Sequence, residues 1–225
     1  QLIQYLAILK LKVLAYLPFS VLYRISDFLF FLLYRVFKYR YKVVMENLRN
    51  SFPEKTDKEL KQIAYGFYSH LCDLLVEVPK MGTLTEKEAL KRLQYTNVAY
   101  LEKLAGEKKH ALVVFGHYNN WEWGGFSPLF CNKFQHLAIY KPLTSKVFDA
   151  YLFKVRQRFG VKPVAMHHIF REIFTFNNQG ILTATAFVAD QAPTFGESQN
   201  WLTFLNQETA VFTGVERIAR KIDSV

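Results

Sequence analysis

His117 and Glu122 stand five positions apart in the run Phe115-Gly116-His117-Tyr118-Asn119-Asn120-Trp121-Glu122-Trp123. An imidazole with a carboxylate near it has the parts of a general base. The acid keeps one ring nitrogen protonated and oriented, and the other nitrogen is left to take a proton. The apolar run Ala111-Leu112-Val113-Val114-Phe115 reads as a buried strand bounded by a turn, so it delivers His117 at its carboxyl end. Spacing alone leaves a second reading open, a solvent-facing histidine in a strand-to-helix loop.

Other chemistries lack their parts. The chain has no Gly-x-Ser-x-Gly elbow for a serine hydrolase, no glycine-rich phosphate loop and no dinucleotide fingerprint. His167 and His168 are adjacent, so on a helix they point about 100° apart and do not chelate one ion comfortably. Cys72 and Cys131 give neither a metal spacing nor a disulfide framework, and read as two reduced, buried thiols of a cytosolic compartment.

The elements around the pair alternate. Beyond the strand at 111–115 and a helix containing Glu122, the sequence predicts a strand over 136–140. A helix capped by Thr144 or Ser145 runs to Phe159, where Gly160 stops it. A strand over 161–165, a helix over 169–176 and a charge-free strand over 181–188 follow, and Thr213 with Glu216 caps a last helix, 215–221. Such alternation argues for an α/β fold with a largely parallel central sheet flanked by helices. In open sheets of this kind ligands bind beyond the carboxyl ends of the strands. Those ends carry His117, Lys141 and the pair Asp190-Gln191. Arg156 and Arg158 lie two positions apart on one predicted helix, about 200° around it, so both cannot face the same site.

Upstream, Thr56 with Glu59 makes a capping box for a long helix whose apolar stripe runs from Leu60 through Leu71 to Val78. His70 within it reads as structural. Shorter helices are predicted over 86–93, capped by Thr85 with Glu88, and over 98–104, capped by Asn97 and closed by Gly106.

At 225 residues the chain suits one domain with a sizeable core, and it is 51% hydrophobic and 16% aromatic. Of its net charge of +10, residues 1–50 hold +6: eight Lys and Arg against Asp27 and Glu46. The bases are interleaved with apolar blocks, Leu14–Leu17 and Phe28–Leu33. A nucleic-acid-binding arm would not need those blocks, whereas an anionic membrane surface accounts for both features. The charge-free stretches are shorter than the roughly 20 residues of a spanning helix. Residues 1–50 are therefore expected to form a membrane-associated helical segment, a hairpin or interfacial anchor with snorkelling bases. A single tilted spanning helix and an apolar core helix pair are the other readings. Residues 51–225 form the second unit.

His117-x-x-x-x-Glu122 followed by Trp123, behind an apolar strand, resembles the motif of the lysophospholipid acyltransferase superfamily, in its lipid A lauroyl/myristoyl acyltransferase branch. That branch commonly reads His-x-Gly-Asn-Trp-Glu. Asn120, Trp121 and Glu122 match, and Asn119 stands for the glycine; asparagine tolerates a left-handed backbone better than other residues with a Cβ. Arg40 with Asn47-Leu48 and Phe52-Pro53 is also similar to the branch. Tyr140-Lys141-Pro142 resembles its Tyr-Arg-Pro, keeping the charge but not the planar bidentate grip. Counting from His117, Arg156 falls where the family has its site arginine, which leaves Arg158 the weaker candidate. Val188–Pro193 resembles the segment ending in Asp-Gln and adds Asp190.

The resemblance implies acyl transfer from an acyl-carrier-protein or acyl-CoA thioester to a hydroxyl of a lipid acceptor. His117 would be the base and Glu122 the group that holds its imidazole. Asn120, Lys141, Arg156 and Asp190 would bind substrate, with no metal and no cofactor beyond the thioester co-substrate. Lipid A secondary acylation at the cytoplasmic face of a Gram-negative inner membrane is the leading expectation, with membrane lipids and the thioester carrier as partners and no nucleic acid. A lysophospholipid or aminolipid acceptor is the alternative within the class, and a non-catalytic lipid-binding or scaffold protein the alternative outside it. Since the enzymes resembled continue past the last helix with another strand, the unit over 51–225 is expected to be incomplete at its carboxyl end.

Overall fold

A computed structural model describes residues 2–193, 200–222, 224 and 225. Two helices open the chain, α1 (Leu2–Tyr16) and α2 (Phe19–Phe30), separated where Pro18 removes a backbone donor. A π-helical turn, Phe31–Val36, prolongs α2. Then come α3 (Tyr41–Ser51), the long α4 (Asp57–Lys80), α5 (Glu86–Arg92) and α6 (Val98–Gly106). The capping boxes of Thr56 with Glu59 and of Thr85 with Glu88 form as the sequence predicts. Asn97 makes no side-chain cap bond at the start of α6.

The sheet is built from β1 (Ala111–Phe115), β2 (Gln135–Tyr140), β3 (Lys162–Ala165) and β4 (Thr183–Val188), in the order β1-β4-β2-β3. All three pairings are parallel. Between β2 and β3 runs α7 (Lys146–Gln157), and Gly160 ends that excursion at φ 95°, a conformation glycine adopts without a Cβ penalty. A short 3₁₀ turn, Met166–His168, leads into α8 (Ile169–Asn178), which returns the chain to the central strand β4. The predicted strand over 181–188 begins two residues late, because Gly180 at φ 69° carries the turn and leaves Ile181 exposed.

Two features depart from the sequence expectation. The segment holding Glu122 is a 3₁₀ helix, Trp121–Leu129, not an α-helix. Gly124 and Gly125 disfavour a regular helix, and Pro128 can donate no backbone bond. A hairpin of β5 (Trp201–Phe204) and β6 (Gln207–Ala210) turns on Leu205 and Asn206, both at positive φ, as a two-residue hairpin turn requires. In the last helix, α9 (Gly214–Ala219), Thr213 makes no side-chain cap bond and Glu216 pairs with Arg220 instead.

Successive strand residues point to opposite faces, and the two faces here have different fates. One carries Leu137, Val164 and Phe187, buried with Ile169 and Ile173 of α8 and Ile218 of α9. The other carries Val113, Phe115, His136, Ala138, Ala184, Ala186 and Val188, and opens into a cleft roofed by residues 121–129. Behind that roof Met81, Leu84, Trp123, Phe126, Val155 and Phe159 form a second core, with Phe19 of α2 packed against it.

Among the described residues no helix is long and apolar enough to cross a membrane. α1 and α2 each pack on α4, and the corner between them is pinned by Lys80. The buried Lys80 ammonium donates to the carbonyls of Ala15 at 3.0 Å and Leu17 at 2.9 Å, where α1 ends, and lies 5.6 Å from the centre of the Phe19 ring. Lys80→Met keeps most of the side chain's length but leaves the Leu17 carbonyl without its donor, while Ala15 keeps the Thr83 hydroxyl. It should cost about 1–3 kcal/mol, read as a lower midpoint in urea denaturation; an unchanged midpoint would remove this clamp from the account.

Candidate active site

Parallel strands bring their carboxyl ends to one edge of the sheet, and the polar residues that follow them meet there. His117 comes two residues after β1, Asp190 two after β4 and Lys141 directly after β2. β1 and β4 are neighbours in register, Phe115 beside Val188, so His117 and Asp190 face each other across adjacent strand ends. The imidazole Nδ1 lies 2.6 Å from Asp190 Oδ1, and the backbone N–H of His117 donates to Asp190 Oδ2 at 2.7 Å. Gly116 makes this approach feasible, since a Cβ there would sit 2.9 Å from Asp190 Oδ2.

With Nδ1–H donated to a carboxylate, Nε2 is the nitrogen left to accept a proton. Among the described residues, the polar contact it makes is to Gln191 Nε2, at a long 3.4 Å. The edge of Trp121 packs against the ring, centroids 4.7 Å apart and planes at 72°, which fixes the imidazole plane. Burial by itself would raise the Asp190 carboxyl, but the hydrogen bonds from the His117 ring and amide, with the ring's charge, outweigh it and hold Asp190 below the usual carboxylate range. A carboxyl lowered on folding adds stability above its unfolded value, near pH 4, and loses it as pH falls through the folded one. Asp190→Asn should therefore flatten the acid limb of a stability-against-pH curve below about pH 4. The Asp190 side chain is 44% exposed, so solvent screening keeps the effect well below that of a buried pair.

Glu122 occupies a different place from the one its spacing suggests. Both of its carboxylate oxygens are engaged by Arg156 of α7, Nε to Oε2 at 2.8 Å and Nη2 to Oε1 at 2.5 Å. The expectation that Glu122 holds the imidazole is thus corrected: Asp190 holds it, and Glu122 holds Arg156. The cause is local. The 3₁₀ segment turns Glu122 toward α7, while the parallel register sets Asp190 beside His117. The pair is largely buried, the side chains 20% and 16% exposed. Burial disfavours the guanidinium's charge, but the two Glu122 hydrogen bonds and its charge outweigh this and raise the Arg156 pKa. Arg156 also lies 5.6 Å from the centre of the Tyr140 ring.

His117, Glu122, Lys141 and Arg156 all line one cleft of about 560 Å³, and Gln191 joins them at its mouth. Asn120 does not. Its Nδ2 donates to Glu77 Oε2 at 2.6 Å, and it lines a neighbouring cleft with Tyr23, Glu77 and Arg92. Tyr23 donates to the other oxygen of Glu77 at 2.8 Å; burial and that carboxylate push its hydroxyl up to about 12. Asn120 thus ties the His117 loop to α4 and α2, the contact the structure gives it in place of one in the His117 cleft. Asn119 adopts φ 52°, the left-handed turn its side chain was expected to permit. Arg158 is occupied elsewhere: Nη1 donates to Gly82 O at 2.9 Å and Nη2 to Leu84 O at 2.6 Å, a structural clamp on the turn after α4.

Sequence reasoning missed Glu77, which announces itself by no spacing, and gave Trp121 no role beyond its match to the motif. It also missed a buried pair in the cleft, Ser127 with His136, whose Oγ and Nδ1 are 2.9 Å apart. His167 and His168 lie edge to face in the 3₁₀ turn after β3, and among the described residues no three potential ligands gather for a metal.

An orienting carboxylate on Nδ1, a free Nε2 and a long apolar cleft beside it suit removal of a proton from a hydroxyl while an apolar chain lies alongside. A search of the curated proteins finds no match. The model of the bacterial lipid A biosynthesis acyltransferase family matches residues 1–225, the whole chain. With the site's geometry in agreement, the chain belongs to that family, and it is an acyltransferase.

Proposed function

We propose that the protein moves a fatty acyl group from an acyl-carrier-protein or acyl-CoA thioester to a hydroxyl of a lipid A precursor, at the cytoplasmic face of the inner membrane. One observation carries the reading: His117, oriented by Asp190 through Nδ1, presents Nε2 at the mouth of an apolar cleft. Nε2 takes the acceptor's hydroxyl proton as the oxygen attacks the thioester carbonyl carbon. Asp190 stabilises the imidazolium as it forms. The tetrahedral oxyanion collapses, the C–S bond breaks, and the imidazolium returns the proton to the departing sulfur. No acyl-enzyme intervenes, since the acceptor oxygen is itself the nucleophile.

Arg156, aligned by Glu122, supplies fixed positive charge in the same cleft for the developing oxyanion, and Lys141 at the mouth attracts anionic groups of donor or acceptor. The bilayer contact falls to residues 1–50. Leu2, Ile3, Leu6, Leu9, Val13 and Tyr16 of α1 are exposed, beside Lys10 and Lys12, a composition suited to an anionic interface. The test is incubation of purified protein with acyl-carrier-protein and CoA thioesters and a panel of hydroxyl-bearing lipids, products read by mass spectrometry. An acylated lipid A precursor is expected; acylation of lysophospholipids or aminolipids alone would overturn the acceptor, and thioester binding without transfer would overturn the catalysis.

A further inference from the structure

The cleft runs along the strands, and its walls form rows set by the sheet's register. Ala184 and His136 share the deepest row, which Ala111 continues into the core; Val113, Ala186 and Ala138 form the middle one; Phe115 and Val188 the row nearest His117. Alanine at the centre of a buried parallel sheet is small for its position, and here it leaves space. Ala186 keeps partial exposure on a strand with neighbours on both sides, and Val113 beside it is 42% exposed. The opposite wall is also pared down at Gly124, where a Cβ would sit 3.9 Å from the Phe115 ring.

At its inner end the cleft is lined by Ser127 and His136, a polar pair that needs nothing more, with Leu101 and Tyr95 beside it. His136 donates from Nε2 to the carbonyl of Cys131 at 2.6 Å, and its Nδ1 accepts the Ser127 hydroxyl at 2.9 Å. Burial lowers the His136 pKa, so the ring is a neutral, satisfied plug. Behind it lie Leu104, Cys131 and Phe134, packed as core. An alkyl chain threading past the alanines therefore meets a wall that neither yields nor gains from contact with a methyl group.

We propose that the Ser127–His136 pair is the stop that fixes the length of the acyl chain, with Ala186 and Ala138 setting the bore that leads to it. This rests on the acyl-transfer reading and adds its specificity. From the Phe115 row to the Ala111 row is four strand residues, about 13 Å at roughly 3.3 Å each. An extended chain advances about 3.6 Å per three bonds, so the lined length holds on the order of eleven carbons. With the carbonyl outside at His117, the preferred acyl group has about a dozen. Each methylene beyond the stop forfeits roughly fourfold in binding, from about 0.8 kcal/mol per buried methylene against 1.4 per decade.

The experiment measures relative kcat/KM over saturated acyl thioesters of acyl carrier protein and of CoA, from hexanoyl to stearoyl, with one lipid A precursor as acceptor, for three proteins. The wild type should peak near a dozen carbons. Ala186→Leu blocks the middle row, two strand residues short of the stop, and should move the peak down by about five or six carbons while transfer of short chains persists. The double variant Ser127→Ala/His136→Ala opens the inner end and should move the peak up. Thermal melts accompany both; Ala138→Leu, from the neighbouring strand, replaces Ala186→Leu if that does not fold, and Ser127→Gly, which opens the same end with His136 kept, likewise replaces the double variant. Transfer by the wild type with the same peak in every folded variant would overturn this inference and leave the acyltransferase reading standing. A shift in Ala186→Leu with none in the double variant would overturn the stop. No transfer from any thioester by the wild type would overturn the functional reading itself.

Discussion

Replacing His117 with alanine should lower acyl transfer by about 10²- to 10⁴-fold, the range a positioned general base contributes. The expectation rests on geometry. The ring is part-exposed at the cleft mouth, its Nδ1 is spoken for by Asp190, and among the described residues its Nε2 has a long contact to Gln191. Because the ring is not core, His117→Ala should leave the melting temperature within about 1–2 °C, the shift of a surface substitution below 0.5 kcal/mol. Binding to anionic vesicles should persist, since the exposed apolar face lies on α1. Asp190→Asn should follow partway, with the loss in kcat more than in KM, because Asp190 orients and stabilises a ring that still contacts substrate. Transfer at wild-type rate by the folded alanine variant would remove the base from the mechanism.

The second large effect concerns Glu122 and Arg156. Removing either alone strands a charge that is four-fifths buried, and breaking such a pair costs about 3 kcal/mol or somewhat more. Glu122→Ala and Arg156→Ala should each lower the urea midpoint markedly. The double variant should be no less stable than the worse single one, a coupling of about 2 kcal/mol between residues in direct contact. Activity separates the two roles open to Glu122. If it acts through Arg156, Glu122→Ala and the double variant share one residual rate and the pH profile keeps its shape. A pH profile displaced in Glu122→Gln but not in Arg156→Lys would instead place the carboxylate on the imidazole. The structure's bidentate contact predicts the first outcome.

Much of the fold was legible along the chain. Ala111–Phe115, the strand into Tyr140 and the charge-free run before Asp190 read as strands because apolar runs of that length, bounded by turn residues, have few other uses. Thr56 with Glu59 and Thr85 with Glu88 marked helix starts because a capping box is satisfied within one turn and needs no tertiary partner. Thr213 with Glu216 shows the limit: the same pattern stays unformed where Arg220 competes for the carboxylate. The hairpin at 201–210 went unread because all four residues of β5 are exposed, so no buried face imprints an alternation.

By itself, then, the sequence singled out candidate residues and indicated that parallel strand ends would gather most of them. His117, Glu122, Lys141 and Arg156 do line one cleft, and Asp190 reaches His117. Who pairs with whom was decided only in three dimensions. Glu122 is near His117 in sequence but bound to Arg156, while Asp190 is 73 residues away and 2.6 Å from the ring. The physical reason is that a hydrogen bond is settled within a few tenths of an ångström. Strand register and the pitch of one 3₁₀ segment set distances on that scale, and residue spacing along the chain does not.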